Sequence, residues 1–262
     1  MRVVVALLFL ASSSGLALTM SSRPAPLAVV FDIDGTLCDS FALGFGATNT
    51  VLEANGYPQI DAAAYHEGCV YTTPERLARH AVGAYDEALG ASLGAEFDRT
   101  YIALVDETTA GFYPGVAKLL KRIGASGARL GALTNAAVLY AEAVLATNGV
   151  RPSFASAQGA DSVPRPKPHG DGLLQVAAEL DLDPERCIYV GDAPSDGAAA
   201  RAAGYGVSIG CSYGSHAEAK LVDCGHFDAI CRSVDDVERA LFPDGHDDDH
   251  AALASVLAAA SR

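Results

Sequence analysis

The sequence predicts an α/β fold, a Rossmann-like doubly wound parallel sheet, into which an all-helical segment is inserted. Three observations support this prediction. Residues 27–33 form a short apolar run that is typical of a buried strand. Residues 41–112 then show helical patterns without strong strand signals. From Tyr113 onward, short apolar runs alternate with helical segments, which is typical of a parallel sheet with right-handed crossovers.

The first predicted strand ends in two aspartates. Asp32 and Asp34 are two residues apart, so their side chains point to the same side of a strand, and Gly35 lets the chain turn away. Open α/β sheets bind ligands at the carboxyl ends of their strands. Carboxylates at the edge of a core need a partner, which a bound cation would provide. A plain surface turn is disfavoured because it needs no buried strand before it.

The helical insert of residues 41–112 is predicted to form a lid over this site. It follows the two aspartates directly, and the alternation of strands and helices starts only after it ends. Within it, Thr73 is the expected N-cap of a helix that has Pro74 at its first position. The alternative is that the insert is an ordinary helical part of the main domain.

Five further strands are predicted after the insert, each followed by a helix. Their sequences are ARLGALTN, FASAQG, RCIYVGD, YGVSIG and FDAICRS. Polar residues stand at the carboxyl ends of the first three, namely Thr134 with Asn135, the loop containing Lys167, and Asp192 with Asp196. In a parallel sheet these ends lie on one edge together with Asp32 and Asp34.

This set of side chains is suited to phosphoryl transfer. Four carboxylates cannot crowd together in their ionised form without a cation, and Mg²⁺ prefers oxygen ligands. Lys167 adds a fixed positive charge, while Thr134, Asn135 and the backbone N–H groups at a helix start can donate to an anion. One carboxylate can attack phosphorus while another transfers the proton. Each cluster alone could be a helix cap, a turn or a solvated lysine. A structure without a catalytic site would require all four clusters to occur at strand ends by coincidence.

The motifs FDIDGT, LTN, the Lys167 loop RPKPHG and GDAPSD resemble those of the haloacid dehalogenase superfamily of phosphatases, over about residues 27–242. The resemblance implies that Asp32 is the nucleophile that becomes an aspartyl phosphate. It implies that Asp34 protonates the leaving alcohol and then activates water. Thr134 and Asn135 would hold the phosphoryl oxygens, and Lys167 would neutralise them.

The same resemblance implies the metal site and the role of the insert. Asp32, Asp192 and the backbone carbonyl of Asp34 would ligate Mg²⁺. Asp196 would support the metal, either through water or by positioning Lys167. The helical insert resembles the cap domain of this superfamily, so that the core comprises residues 25–40 and 113–243.

The substrate is expected to be a small phosphorylated metabolite. An aspartate at position 34 favours phosphate esters, and the segments RPKPHGDGLL and CSYGSH most resemble the phosphoglycolate phosphatase group, although Gly170 replaces a proline common there. Arg76, near the loop Gly68 to Thr73, is the candidate ligand for a substrate carboxylate; the alternative places it on the surface of a helix. A sugar-phosphate phosphatase and a β-phosphoglucomutase-like phosphomutase remain alternatives. The intact catalytic set argues against a non-catalytic binding protein.

Composition limits the possible partners. The 262-residue chain has a formal net charge of −14, which argues against binding to a nucleic-acid backbone and means that a small anionic substrate needs local positive charge. Six scattered cysteines without a CxxC pattern do not predict a disulfide framework. The sequence leaves the oligomeric state open.

The two ends of the chain are predicted to lie outside the core. Residues 1–24 combine one early basic residue, a short apolar stretch and small residues, which is typical of a secretory signal and also suits a transit segment for an organelle such as a plastid. Translation from Met20, giving a cytoplasmic protein, is the alternative. The apolar stretch is too short for stable membrane insertion. Residues 244–262 are expected to be a solvated acidic connector followed by a loose Ala-rich helix.

Overall fold

A computed structural model describes residues 25–69, 71–246 and 248–260. The predicted signal or transit segment, residues 1–24, lies outside the described residues, so it stays a prediction. Within the described chain, the centre of the molecule is a six-stranded sheet in the order β3-β2-β1-β4-β5-β6. Every neighbouring pair of strands is parallel, which confirms the predicted doubly wound sheet.

The strands are short, and most of their side chains are buried. They are β1 (Ala28–Phe31), β2 (Arg129–Leu133), β3 (Phe154–Gln158), β4 (Cys187–Gly191), β5 (Val207–Cys211) and β6 (Ala229–Cys231). The β1 strand lies between β2 and β4, and all four of its residues are buried. A strand covered by helices on both faces has to be apolar throughout, which explains the continuous apolar run of residues 27–31.

Helices cover both faces of the sheet and form the insert. The described α-helices are α1 (Phe41–Ala54), α2 (Ala62–Gly68), α3 (Thr73–Val82), α4 (Glu87–Ala103), α5 (Val116–Ala125), α6 (Val138–Thr147), α7 (Asp171–Glu179), α8 (Pro194–Ala203), α9 (Glu218–Asp223), α10 (Val234–Leu241) and α11 (Asp249–Ala260). No helix in the described ranges is long and apolar enough to cross a membrane.

The insert consists of α1 to α4, which lie between β1 and α5. Its apolar residues, such as Leu77 and Phe97, belong to the same buried cluster as Val29 and Phe31 of β1, so the insert packs continuously onto one face of the core. The N-cap prediction was wrong by one position. Thr72 is the N-cap of α3 and Thr73 is its first helical residue, while Pro74 stays in the first turn.

The C-terminal helix α11 is packed against the core, so the prediction of a loose tail was wrong. Ala252, Leu253 and Leu257 are buried in the main apolar cluster because their spacing places them on one face of the helix. At the start of α11, the carboxylate of Asp249 accepts two hydrogen bonds from the guanidinium of Arg122 on α5. The helix therefore helps to cover one face of the sheet.

Replacing a buried leucine in the middle of α11 by alanine tests this packing. We expect Leu253→Ala to lower the free energy of unfolding by about 2–5 kcal/mol, because it removes fully buried methyl groups and leaves a cavity. The matched control is Leu174→Ala on α7, where the side chain is half-exposed and the loss should be about 1 kcal/mol or less. Urea unfolding of both variants measures the difference. Equal losses would mean that α11 does not contribute to the core.

Candidate active site

The residues predicted at the strand ends meet at the carboxyl edge of the sheet. Asp32 follows β1, Thr134 follows β2 and Asp192 follows β4, so these three side chains come from neighbouring strands. The loop after β3 returns Lys167 to the same point, where its ammonium group contacts Asp32. The edge therefore places carboxylates, a hydroxyl and an ammonium group together, as the sequence predicted.

Asp32 is buried, and one of its oxygens is held in place. Oδ1 accepts a hydrogen bond from the backbone N–H of Ile33 at 2.7 Å and forms an ion pair with the ammonium group of Lys167 at 2.9 Å. Both donors approach the same oxygen, which leaves Oδ2 available to attack a phosphorus atom. This arrangement fits the nucleophile role that the motif implies.

Lys167 is the buried cation of the site. Its ammonium group lies 2.6 Å from Oδ1 of Asp196 and 2.9 Å from Oδ1 of Asp32, and it also contacts the hydroxyl of Tyr189 at 3.2 Å. Burial lowers the pKa of Lys167, but the carboxylates of Asp196 and Asp32 outweigh burial and hold the pKa above its usual range. Lys167 therefore keeps its positive charge.

Asp32, Asp192 and Asp196 form a group that could hold a metal ion. Each offers a carboxylate oxygen, and these oxygens lie within 4.8 Å of one another in a buried position. Burial, followed by repulsion from Asp196, raises the pKa of Asp192 to about 7 and that of Asp32 well above its usual range. Three carboxylates (−3) and the ammonium group of Lys167 (+1) leave a formal charge of −2, which one divalent cation would balance. Hard oxygen donors of this kind fit Mg²⁺.

Two glycines let the surrounding loops approach Asp192 closely. A Cβ atom at Gly35, where φ is +74°, would lie 2.2 Å from Oδ2 of Asp192, and one at Gly214 would lie 2.5 Å from the same oxygen. The next residue, Ser215, donates from its backbone N–H at 2.6 Å and from its hydroxyl at 2.5 Å to this oxygen. Ser215 was not predicted as a site residue, although the segment CSYGSH that contains it was noted.

Asp196 is fully enclosed by donors. Oδ1 accepts from Lys167 and from the hydroxyl of Tyr189, and Oδ2 accepts from the backbone N–H groups of Asp192 and Ala193. Since two donors occupy each oxygen, the main work of Asp196 is to orient Lys167 and the turn that carries Asp192. This geometry favours the indirect role that was one of the two predictions for Asp196.

Asp34 stands apart from the three-carboxylate group. Its Oδ1 accepts hydrogen bonds from the hydroxyls of Ser40, Tyr101 and Tyr140, and its Oδ2 accepts one from Thr134 at 3.2 Å. The predicted contact of Asp34 with the metal is through the backbone carbonyl and stays a prediction. None of the three hydroxyl partners of Oδ1 was predicted: Tyr101 and Tyr140 lie on helices without a recognisable motif, and Ser40 lies just beyond the FDIDGT motif.

The side chain of Asn135 is used within the protein. Its Oδ1 accepts from the backbone N–H of Lys167, and its Nδ2 donates to the carbonyl of Lys167, both at 3.0 Å. Asn135 therefore fixes the Lys167 loop to the end of β2. If Asn135 contacts phosphoryl oxygens, it does so through its backbone N–H, and this contact stays a prediction. The hydroxyl of Thr134 lies beside Asp34 and can itself bind a phosphoryl oxygen.

Arg76 is buried within the insert, so the alternative that placed it on the surface of a helix was wrong. Only 8% of the residue is exposed. Its guanidinium lies over the ring of Tyr65 at 5.0 Å and over the ring of Phe97 at 5.2 Å, and its Nε has no hydrogen-bond partner among the residues that the structure describes. Cation–π contacts stabilise a buried guanidinium only in part, so its hydrogen-bonding capacity is not used up within the protein.

Comparisons with known proteins identify the family of this chain. A family model for haloacid dehalogenase-like hydrolases matches residues 26–204. A phosphoglycolate phosphatase from Xanthomonas campestris is 34% identical over 179 residues, which are 68% of this chain and 80% of that protein. Among solved structures, a predicted phosphoglycolate phosphatase from Haemophilus somnus is 23% identical, with a TM-score of 0.69 over 81% of this chain and 96% of that one.

A second solved structure comes from a more similar protein. CbbY from Rhodobacter sphaeroides, solved in complex with xylulose-(1,5)bisphosphate, is 27% identical with a TM-score of 0.67, over 80% of this chain and 95% of that one. The chain therefore belongs to the haloacid dehalogenase-like hydrolases, as its motifs indicated. It is an enzyme of the phosphatase type within that family.

The raised pKa of Asp192 predicts how pH and magnesium act on stability. The metal-free native protein binds a proton at Asp192 that the unfolded chain has already lost, so its stability should fall as pH rises from about 4 to about 7. A magnesium ion bound by Asp192 would compete with that proton. We therefore expect Mg²⁺ to raise Tm more at about pH 8 than at about pH 5.5.

Thermal unfolding with and without Mg²⁺ at both pH values measures this effect. Asp192→Asn should abolish most of the magnesium-dependent rise in Tm, because it removes a charged ligand while keeping the volume. Asp244→Asn, which changes an exposed aspartate after α10, is the matched control and should keep the full rise. A magnesium effect that is the same at both pH values, or that survives in Asp192→Asn, would exclude Asp192 as a ligand.

Proposed function

We propose that this enzyme is a magnesium-dependent phosphatase that hydrolyses a small phosphate monoester through an aspartyl-phosphate intermediate on Asp32. The observation that carries the proposal is the environment of Asp32. One of its oxygens is fixed by Lys167, the other is available, and the carboxylate of Asp192 lies close enough to hold a divalent cation together with Asp32, while Asp196 orients Lys167. A second carboxylate, Asp34, stands beside this group with hydroxyl partners of its own.

Each catalytic group has a defined task in the proposed reaction. Thr134 and Lys167 bind the phosphoryl oxygens, and Oδ2 of Asp32 attacks phosphorus while the bond from phosphorus to the ester oxygen breaks. Asp34 gives its proton to that oxygen, and the alcohol leaves. Asp34 then takes a proton from a water molecule that attacks phosphorus, which breaks the bond to Asp32 and releases phosphate. Bound Mg²⁺ would supply charge neutralisation for the phosphoryl group.

We propose a substrate of the phosphoglycolate class, which carries a carboxylate close to its phosphate. The relative from Xanthomonas campestris is named for this activity. Within this chain, Arg76 is a buried cation, and the described residues place no carboxylate within ion-pair distance of it. A buried charge is unfavourable without a partner, and a substrate carboxylate would supply one.

Tyr65 connects Arg76 with the catalytic edge. Burial raises the pKa of the Tyr65 phenol, the charge of Arg76 lowers it, and the charge of Asp34 raises it further. The phenol therefore lies close enough to interact electrostatically with both charges. A Cβ atom at Gly44 would lie 2.1 Å from the hydroxyl of Tyr65 and 3.7 Å from the ring of Tyr101, the residue that donates to Asp34. Along this path two aromatic residues, Tyr65 and Tyr101, lie between Arg76 and the carboxylate of Asp34.

A sugar phosphate is the second candidate for the substrate. The solved structure of CbbY, which is 27% identical, contains xylulose-(1,5)bisphosphate. The sugar-phosphate phosphatase and the phosphomutase use the same catalytic edge as the first candidate. They differ in what the insert binds, and in the mutase the aspartyl phosphate must be protected from water.

Asp32→Asn tests the covalent mechanism. We expect this variant to fold and to lose at least about a thousandfold in kcat, because a neutral amide is a poor nucleophile for phosphorus. The assay compares phosphoglycolate, sugar phosphates and p-nitrophenyl phosphate, each with and without Mg²⁺. Asp244→Asn serves as the control for an Asp-to-Asn change outside the site. Near wild-type hydrolysis by Asp32→Asn would exclude the aspartyl-phosphate mechanism.

Arg76→Ala tests the carboxylate site. Charge-assisted hydrogen bonds in a closed site should make phosphoglycolate turnover fall by about ten- to a hundredfold, with a much smaller loss for p-nitrophenyl phosphate, which has no carboxylate. Arg99→Ala removes an exposed arginine from α4 and should change neither rate. Equal losses on both substrates, or no loss on either, would mean that Arg76 has a structural role only.

A further inference from the structure

Three hydroxyl groups converge on one oxygen of Asp34. Oδ1 accepts from Ser40 at 2.5 Å, from Tyr140 at 2.6 Å and from Tyr101 at 3.0 Å. The two phenols also contact each other at 3.1 Å. Ser40 precedes α1 in the chain, whereas the tyrosines come from helices distant in sequence, α4 and α6.

The two tyrosines are rigidly held where the insert meets the core. Tyr101 lies on α4 of the insert and Tyr140 on α6 of the core, and both residues are buried. Their rings are stacked with centroids 4.2 Å apart, and Phe97 stacks on the other face of Tyr101 at 4.9 Å. Burial raises the pKa of both phenols, so they remain neutral hydrogen-bond donors. Stacking fixes the ring planes and thereby the direction of each O–H group.

The other oxygen of Asp34 has a different environment. Oδ2 accepts from the hydroxyl of Thr134, 3.2 Å away, and Thr134 is the side chain expected to bind the phosphoryl group. Three donors crowd Oδ1, and a carboxyl group carries its proton on one oxygen at a time. The proton to be delivered is therefore assigned to Oδ2, and when Oδ2 carries it, the hydrogen bond from Thr134 has to reverse or break, which frees the single O–H of Thr134 for a phosphoryl oxygen.

We propose that Tyr101 and Tyr140 are positioning residues for the general acid, which hold Oδ1 of Asp34 and leave Oδ2 to exchange the proton with the ester oxygen. This inference rests on the proposed phosphatase function. It assigns to the insert a part in the chemistry as well as in substrate recognition, because Tyr101 belongs to α4. Displacement of α4 from the core would remove one of the three donors and leave Asp34 less well oriented.

The proposal predicts a dependence on the leaving group. A glycolate or glycerol alkoxide is a poor leaving group and needs the proton from Asp34, whereas p-nitrophenolate leaves without one. The quantity to compare is kcat/KM, since it covers the steps up to release of the alcohol and excludes hydrolysis of the phosphoenzyme. We expect Tyr101→Phe and Tyr140→Phe to lower kcat/KM for phosphoglycolate and glycerol phosphate by about tenfold or more, and that for p-nitrophenyl phosphate by less than about twofold.

The phenylalanine variants keep the aromatic stack and remove only the hydroxyl groups. Tyr205→Phe is the matched control, because Tyr205 is partly buried and its hydroxyl donates to the backbone carbonyl of Leu173 on the other side of the sheet. This control should leave the ratio of kcat/KM for alkyl phosphates to kcat/KM for p-nitrophenyl phosphate unchanged. A ratio that is also unchanged in Tyr101→Phe and Tyr140→Phe, whether the rates fall together or stay the same, would overturn the proposal.

A crystal structure of the double variant Tyr101→Phe/Tyr140→Phe gives a second readout that does not depend on turnover. The side chain of Asp34 should leave its present position or occupy two. Retention of the same position would overturn the positioning role even if activity were lost. If the wild-type enzyme hydrolyses none of the three substrates, the proposed function has failed, which differs from an active wild type whose variants show no change in the ratio.

Discussion

The active site depends on a buried ion pair between the ammonium group of Lys167 and the carboxylates of Asp32 and Asp196. Burying these charges is costly, and the cost is offset only because Oδ1 of Asp32, both oxygens of Asp196 and the ammonium group each have at least two partners. The loop after β3 is therefore tied to β1 and to the turn after β4. The resulting geometry holds one oxygen of Asp32 and leaves the other available for reaction.

The loops around Asp192 approach its carboxylate closely. Gly35 and Gly214 leave no room for a side chain beside Asp192, and Ser215 then closes the space with two hydrogen bonds. Residues that bear no catalytic group thus set the distance between carboxylates. A divalent cation fits this arrangement because it would attract carboxylates that otherwise repel one another, and the carboxylates are already in place.

Side chains of the helical insert contact the side chains of the catalytic site in the core. Arg76 packs on Phe97, and Phe97 stacks on Tyr101, which in turn stacks on Tyr140 and reaches Asp34. A column of this kind places the candidate carboxylate site and the general acid on one rigid support. The part of the molecule that would distinguish substrates therefore shares side chains with the part that would transfer the proton.

The sequence by itself determined the sheet, the family and the identity of the groups at the strand ends. Apolar runs ending in polar residues have few structural solutions, and a parallel sheet brings Asp32, Thr134 and Asp192 to one edge whatever the intervening helices do. The bounds of the predicted strands were correct to within about two residues at each end, and the N-cap of α3 was wrong by one position.

Only the tertiary structure decided how those groups are used. The hydroxyls of Tyr101 and Tyr140 reach Asp34 from 67 and 106 residues away, and Asn135 turns its side chain toward Lys167. The packing of α11 likewise depends on a surface that the core presents to Leu253. Such contacts leave no local pattern, because a hydroxyl or an amide finds its partner through the folded chain and not through sequence spacing.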